Sequence, residues 1–124
     1  MDDVPKNLPS LTRTKKLQKR ATRVGFDWSN SKQILEKIDE EIDELKHEDM
    51  KSNKEGITEE IGDLFFTLVR LAGYYEVEPE DIIRKTNLKF ENRFRKMENE
   101  AKSMKTNLNA MTLNELEILW QKVK

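Results

Sequence analysis

Hydrophobic residues recur every three or four positions along most of the chain, which is the spacing of amphipathic helices rather than of strands. This spacing predicts a series of helices, with approximate bounds Ser10–Gly25, Ser31–Lys46, Ile57–Tyr75, a long helix opening at Glu78-Pro79, and a short helix after the capping-box pattern Thr112-Leu113-Asn114-Glu115. No convincing run of alternating apolar and polar residues indicates a strand. The pattern therefore predicts an all-α fold.

The ends of these helices are marked by residues that favour helix caps. Ser10 is a candidate N-cap and Gly25 a candidate C′ residue for the first helix, while Ser29 or Asn30 would cap the second. Between the second and third helices, the polar and charged segment His47–Gly56 is predicted to be a loop. The chain has only 4 Gly and 3 Pro, which also disfavours a turn-rich all-β fold.

Composition and charge remove several classes of function. Charged residues make up 38% of the chain against about 25% in a typical domain, but 23 basic and 24 acidic side chains nearly cancel, so a nucleic-acid binder is disfavoured. The absence of cysteine excludes disulfides and thiolate nucleophiles, and a single histidine excludes a multi-histidine metal site within one chain. No apolar run approaches the ~18 residues of a membrane span. We expect a soluble, cytoplasmic, single-domain protein, with residues 1–9 flexible.

The charges are segregated along the chain. Acidic residues outnumber basic ones from Ile34 to Asp63, whereas basic residues outnumber acidic ones from Arg84 to Lys105 and in the first predicted helix. An acidic centre with basic flanks suits a metal ion bound together with a polyphosphate. The alternative is that these are ordinary solvated faces of charged surface helices.

Two pairs of carboxylates lie at the borders of apolar stripes on the second and third predicted helices. Glu41 and Glu44 form one pair and Glu60 and Asp63 the other, and a spacing of three places the members of each pair side by side. If the two helices pack antiparallel through their apolar faces, both pairs reach one rim. A divalent cation would offset the repulsion, and ligation by oxygen alone suits Mg²⁺ or Mn²⁺ rather than Zn²⁺. Two ordinary charged faces are the alternative.

The acidic motifs belong to a longer match. KIDEEIDEL (Lys37–Leu45) and EEIGDLFFTLVRLA (Glu59–Ala72) resemble the MazG family of nucleoside triphosphate pyrophosphohydrolases, which carries ExxE, a spacer and ExxD on two antiparallel helices. Further segments are similar to the same family: KLQKRATRVGFDW, TNLKFENRFRKME and LNELEILWQKVK. The resemblance covers nearly the whole chain and is closest to the second, catalytic domain of the two-domain bacterial proteins.

The resemblance implies a single domain over 1–124 that folds as an antiparallel all-α bundle and forms homodimers. It also implies hydrolysis of a nucleoside triphosphate between its α- and β-phosphates, giving a nucleoside monophosphate and pyrophosphate. The implied catalytic residues are carboxylates that bind Mg²⁺ or Mn²⁺: Glu41, Glu44, Glu60 and Asp63. The implied nucleotide contacts are Lys37, Asn87, Lys89, Arg93 and Trp120.

Some of these residues have simpler interpretations. Lys37 could pair with Glu41 one helical turn on, and Trp120 could belong to the core, as we expect of Trp28. Alternative functions are a narrower pyrophosphohydrolase acting on dUTP, dCTP or phosphoribosyl-ATP, an inactive helical dimerisation module, and a nucleic-acid binder that uses the basic first helix.

Two features of the third helix predict close neighbours. Phe66 lies roughly opposite the main apolar face, so we expect a second packing partner from another subunit. Gly62 costs about 1 kcal/mol relative to Ala inside a helix, which suggests close approach of another helix or of the metal site. The chain also departs from the MazG pattern, because Gly56-Ile57-Thr58 stands where a basic residue often precedes the second acidic motif.

Overall fold

A computed structural model describes residues 1–27 and 30–124. Trp28, the predicted packing residue, and Ser29, one of the two N-cap candidates, lie outside the described residues. The described chain forms α-helices and one 3₁₀ turn: α1 Ser10–Thr22, α2 Ser31–Met50, α3 Lys54–Tyr74, α4 Pro79–Ser103, the turn Leu108–Ala110, and α5 Leu113–Lys122. No strand occurs in that part of the chain, so the all-α prediction is confirmed. The chain divides into two compact units, Met1–Asp81 and Ile82–Lys124.

The first unit is built on a hairpin of α2 and α3, with α1 packed against α3. Asn30 caps α2 by accepting a hydrogen bond from the Gln33 N–H at 3.0 Å, as predicted for one of the two candidates. Ile34 of α2 is fully buried and Val69 of α3 nearly so. The buried Gln18 of α1 donates its side-chain amide to the Phe66 carbonyl at 2.8 Å, which fixes α1 on α3.

The predicted loop His47–Gly56 is wrong, because most of it is helical. α2 continues to Met50 and α3 begins at Lys54. The Asn53 side chain accepts from the Gly56 N–H at 3.4 Å and donates to the Glu48 carboxylate at 2.9 Å, so one residue caps α3 and holds the last turn of α2. The segment is charged, but Glu and Lys are good helix formers, and polarity alone was a poor sign of a loop.

The first helix differs from the prediction at its start and agrees at its end. Ser10 is the first helical residue rather than the N-cap, and Pro9 before it supplies no side-chain cap. Gly25 adopts a left-handed φ of +86°, and the N–H groups of Gly25 and Phe26 bond back to carbonyls of the last helical turn. This is the Schellman arrangement expected for a C′ glycine.

The second unit contains most of α4, together with α5. Met97 and Ala101 of α4 and Leu119 of α5 are buried. The predicted capping box is confirmed: the Thr112 hydroxyl accepts from the Glu115 N–H, and the Glu115 carboxylate accepts from the Thr112 N–H, both at 3.2 Å. None of the described helices combines the length and the apolar character needed to cross a bilayer.

Candidate metal centre

Three carboxylates from α2 and α3 meet inside the first unit. Glu41, Glu60 and Asp63 each offer one oxygen, and these oxygens all lie within 4.8 Å of one another. Glu44 does not join this group, but it is near enough to Glu60 to help raise the pKa of that residue. The connection between α2 and α3 is only three residues long, so the helices run antiparallel and bring residues from their facing turns together. The structure thus groups three of the four carboxylates that the two spacings of three single out.

The burial of the cluster leaves two oxygens without partners. Glu41 is only 4% exposed and Glu60 is half-buried, whereas Asp63 is exposed. Oε2 of Glu41 and Oε2 of Glu60 are both buried and have no hydrogen-bond partner among the described residues. An unpaired buried polar atom is costly, and a bound cation would satisfy both oxygens at once. The donor set, made of carboxylate oxygens alone, therefore fits a hard divalent cation.

The pKa values of Glu60 and Glu41 are shifted in opposite directions by the crowding of the cluster. The hydrogen bond with Glu41, helped by desolvation and by the nearby Glu44, raises the pKa of Glu60 to about 7. Burial acts to raise the pKa of Glu41, but hydrogen bonds with Glu60 and Lys37 outweigh it and lower that pKa. The raised pKa of Glu60 means that, below about pH 7, a proton on this carboxyl group reduces the negative charge that a cation would otherwise offset.

Lys37 lies at the edge of the cluster and forms the ion pair that its spacing from Glu41 allowed. Its Nζ is 3.2 Å from Oε1 of Glu41 and 3.3 Å from Oε1 of Glu40. The lysine therefore holds one oxygen of the buried Glu41 carboxylate, while Oε2 has no hydrogen-bond partner among residues 1–27 and 30–124.

The two glycines near the cluster have different surroundings. A Cβ built on Gly56 would overlap Oε2 of Glu48, so a larger residue at this position would require the Glu48 and Asn53 side chains to move. A Cβ built on Gly62 would meet nothing within 4 Å in the described chain beyond its own helix and chain neighbours. The predicted close approach at Gly62 is therefore not made within the described chain, because this position faces outward from the hairpin.

The remaining predicted contact residues lie in the second unit. Nε and Nη2 of Arg93 donate to the Trp120 carbonyl at 3.1 and 2.6 Å, and the guanidinium carbon is 3.8 Å from the centre of the indole ring. Asn87 and Lys89 are exposed and have no hydrogen-bond or ion-pair partner in the described part of the chain. The structure thus joins Arg93 to Trp120, and it leaves Asn87 and Lys89 available to a ligand.

Sequence reasoning did not assign Phe90 to a site. Its ring lies 5.4 Å from that of Trp120, and both line a largely apolar cavity of about 360 Å³. Two polar side chains, Asn109 and Glu117, also line this cavity. The signal in the sequence was the pair Phe90 and Phe94, which lie one helical turn apart and whose rings stack at 5.9 Å in the structure. By itself this pair indicates only an apolar stripe, because the position of Trp120 beside Phe90 is seen only in the structure.

The chain is similar to known proteins over most of its length. Residues 8–90 match the family described as phosphoribosyl-ATP pyrophosphohydrolase. The whole chain is 38% identical over 126 residues to a nucleoside triphosphate pyrophosphohydrolase of Escherichia coli K12 and covers 48% of it. It is 38% identical over 117 residues to the nucleoside triphosphate pyrophosphohydrolase/pyrophosphatase MazG of Thermotoga maritima, covering 94% of this chain and 45% of that protein.

A further relative is named only as the uncharacterized protein YabN of Bacillus subtilis. The chain is 41% identical to it over 125 residues and covers 26% of its length. The chain therefore spans about half the length of the Escherichia coli and Thermotoga maritima proteins and about a quarter of the Bacillus subtilis protein.

Proposed function

Because the chain belongs to the phosphoribosyl-ATP pyrophosphohydrolase/MazG-like family, we propose that it hydrolyses nucleoside triphosphates between the α- and β-phosphates. The products would be a nucleoside monophosphate and pyrophosphate. Two of the similar proteins are named nucleoside triphosphate pyrophosphohydrolases. The observation that supports the proposal best is the cluster of Glu41, Glu60 and Asp63, in which two buried oxygens lack partners among the described residues.

We assign four carboxylates to a Mg²⁺ site, with Mn²⁺ as a substitute: Glu41, Glu44, Glu60 and Asp63. When bound, such an ion neutralises phosphate oxygens and makes a coordinated water a better nucleophile. Lys37 holds Oε1 of Glu41, which keeps that carboxylate ionised and in one orientation. Glu60 would release its proton when the ion binds, because both cannot occupy the same oxygens.

We propose that residues of α4 and α5 bind the nucleotide, as the family resemblance implies. Lys89 and Asn87 are exposed and unpaired within the described chain, so both are available to phosphate or sugar oxygens. Lys37 would contact phosphate while still bound to Glu41, since its ammonium group has three donors. Arg93 and Trp120, which are stacked on each other, would bind the nucleotide together.

We also propose that the chain forms a homodimer through α3. Phe65 and Phe66 are 57% and 45% exposed, and Leu68 is 48% exposed on the same helix. Contiguous exposed apolar side chains of this size are typical of interaction surfaces. The single-domain assignment over 1–124 and the cytoplasmic location stay predictions of the sequence.

The test of the proposed function is the identity of the products. Purified protein with Mg²⁺ is incubated with a panel of NTPs, dNTPs and phosphoribosyl-ATP, and the products are separated by anion exchange. We expect monophosphate and pyrophosphate from several NTPs. Turnover of phosphoribosyl-ATP alone would favour the narrower function that the matched family's description names. Formation of a nucleoside diphosphate and orthophosphate would contradict the proposed bond.

A complete absence of hydrolysis would support the inactive dimerisation module instead. The preparation must then be shown to bind Mg²⁺, for which isothermal titration of the metal alone is sufficient. A protein that binds Mg²⁺ but cleaves nothing in the panel would contradict the enzymatic proposal and leave the metal centre standing.

A further inference from the structure

Two cations one turn apart on α4 have different surroundings. Lys89 is exposed and has no ion-pair or hydrogen-bond partner in the described chain. Arg93 is half-buried, donates twice to the Trp120 carbonyl and stacks on the indole ring at 3.8 Å. The family resemblance treats both as phosphate contacts, but only Lys89 has a free charged group in this structure.

The contact with Trp120 uses properties that lysine does not have. The last carbonyls of a helix lack partners within it, and the Trp120 carbonyl lies in the last turn of α5, where Arg93 satisfies it with two donors. The planar guanidinium can donate at its edge and stack through its face at the same time. One side chain thus sets both the end of α5 and the orientation of the indole ring.

The indole ring that Arg93 orients forms part of the apolar cavity of the second unit. Trp120 and Phe90 line that cavity together with their rings 5.4 Å apart, and its volume of about 360 Å³ exceeds that of a nucleobase. A ring in this wall offers stacking area to a base, and the base binds more tightly if the ring's orientation is fixed before the ligand arrives.

We propose that Arg93 is a positioning residue that acts on the nucleotide through Trp120, and that Lys89 is the α4 cation that binds phosphate. This inference rests on the proposed nucleotide hydrolase function. Arg93 holds the indole ring in the cavity wall and keeps its charge on protein groups. Loss of Arg93 therefore weakens recognition of the base and leaves recognition of the polyphosphate intact.

The first experiment separates recognition of the base from recognition of the polyphosphate. Arg93→Met, Arg93→Lys and the matched control Lys89→Met are assayed for the KM of ATP and for inhibition by inorganic tripolyphosphate, which has no base. Lys89→Met should weaken tripolyphosphate inhibition by about tenfold, the effect of one lost charged hydrogen bond. Arg93→Met should change that inhibition less than about twofold and raise the KM of ATP by about tenfold. Arg93→Lys should resemble Arg93→Met, because lysine lacks the planar fork.

A double-mutant cycle tests whether Arg93 acts through Trp120. Trp120→Leu should raise the KM of ATP by itself, and adding Arg93→Met should then have little further effect, since residues in one contact are not additive. A merely structural role for Arg93 would lower the apparent kcat through loss of folded enzyme without raising the KM of ATP, and this effect would persist without the indole ring.

Tryptophan fluorescence measures how firmly the Trp120 ring is held, independently of catalysis. With Trp28 replaced by Phe, Trp120 is the remaining tryptophan, because the chain has two. Arg93→Met should increase acrylamide quenching of Trp120 emission and Lys89→Met should not. Arg93→Lys keeps the charge and most of the stem, so it preserves the comparison if Arg93→Met does not fold.

Equal loss of tripolyphosphate inhibition in Arg93→Met and Lys89→Met, with rescue by Arg93→Lys, would show that Arg93 binds phosphate and would overturn the proposal. Unchanged quenching in Arg93→Met would overturn it as well. A parent protein that neither hydrolyses NTPs nor binds tripolyphosphate contradicts the proposed function, and the quenching comparison then still decides whether Arg93 fixes Trp120.

Discussion

The two units handle charge in opposite ways. In the first, acidic side chains are crowded where they are partly shielded from water: Glu41 is buried, and the pKa of Glu60 beside it is raised to about 7. In the second, Lys89 is left in solvent, and the half-buried Arg93 is stacked and hydrogen-bonded. The first unit stores electrostatic repulsion that a cation can relieve, whereas the second has already satisfied its partly buried charge. The difference indicates where a ligand will change stability and where it will only bind.

Removing one carboxylate from the cluster should have the largest effect. Glu60→Gln keeps the shape and removes a ligand, so activity with Mg²⁺ should fall by orders of magnitude, about a thousandfold or more, because the bound ion organises phosphate and water. The matched control is Glu59→Gln, an exposed neighbour on the same helix, which should remain near parental activity. Steady-state pyrophosphate release measures both.

The same pair of variants distinguishes an effect on catalysis from an effect on the stability of the fold. Mg²⁺ at about 100 times its Kd should stabilise the parent by about 2.7 kcal/mol if it binds only the folded state, and Glu60→Gln should gain less. Without metal and above about pH 7, where the parental Glu60 has lost its proton, Glu60→Gln should melt at or above the parental temperature, because the variant lacks this carboxylate charge. Near-parental turnover by Glu60→Gln would instead support a solvated, structural role for this residue.

The stored repulsion should also appear as a pH dependence of the metal-free protein. The pKa of Glu60 is raised from 4.5 to about 7, so between these values the folded chain holds a proton that the unfolded chain has released. The stabilisation is complete below about 4.5 and is lost as the pH rises through about 7. Denaturant unfolding at fixed pH values should therefore show the metal-free parent weakening between pH 5 and 8.

Glu60→Gln and saturating Mg²⁺ should each flatten that profile, by different routes. The variant has no proton to lose, and the ion replaces the proton in the parent. Lys89→Met in the second unit should leave the profile unchanged. A parental profile that Glu60→Gln does not alter would locate the titrating group elsewhere in the chain.

The same contrast explains which parts of the molecule the sequence predicts. The carboxylates of the first unit were predictable because helical spacing fixes how Glu60 and Asp63 lie relative to each other, and the antiparallel hairpin adds Glu41. The contact of Arg93 with Trp120 was not predictable, because their positions are 27 apart in sequence and depend on how α5 lies. The loop prediction failed for a local reason: the segment is charged, but Glu and Lys are good helix formers, so both helices extend to a connection of three residues that Asn53 caps.

The smallest expected effect concerns the outer face of α3 in the first unit. An added Cβ at Gly62 meets no atom within 4 Å outside its own helix and neighbours in the described chain, so Gly62→Ala should stabilise the isolated subunit by about 1 kcal/mol. If a second copy packs on this face beside Phe65 and Phe66, the same methyl group should weaken the dimer. Gly73→Ala is the matched control on the same helix, since its Cβ would only touch the Arg70 guanidinium at 3.4 Å. Denaturant unfolding and sedimentation over a range of concentrations measure the two effects, and an unchanged dimer in Gly62→Ala would place the subunit contact on another surface.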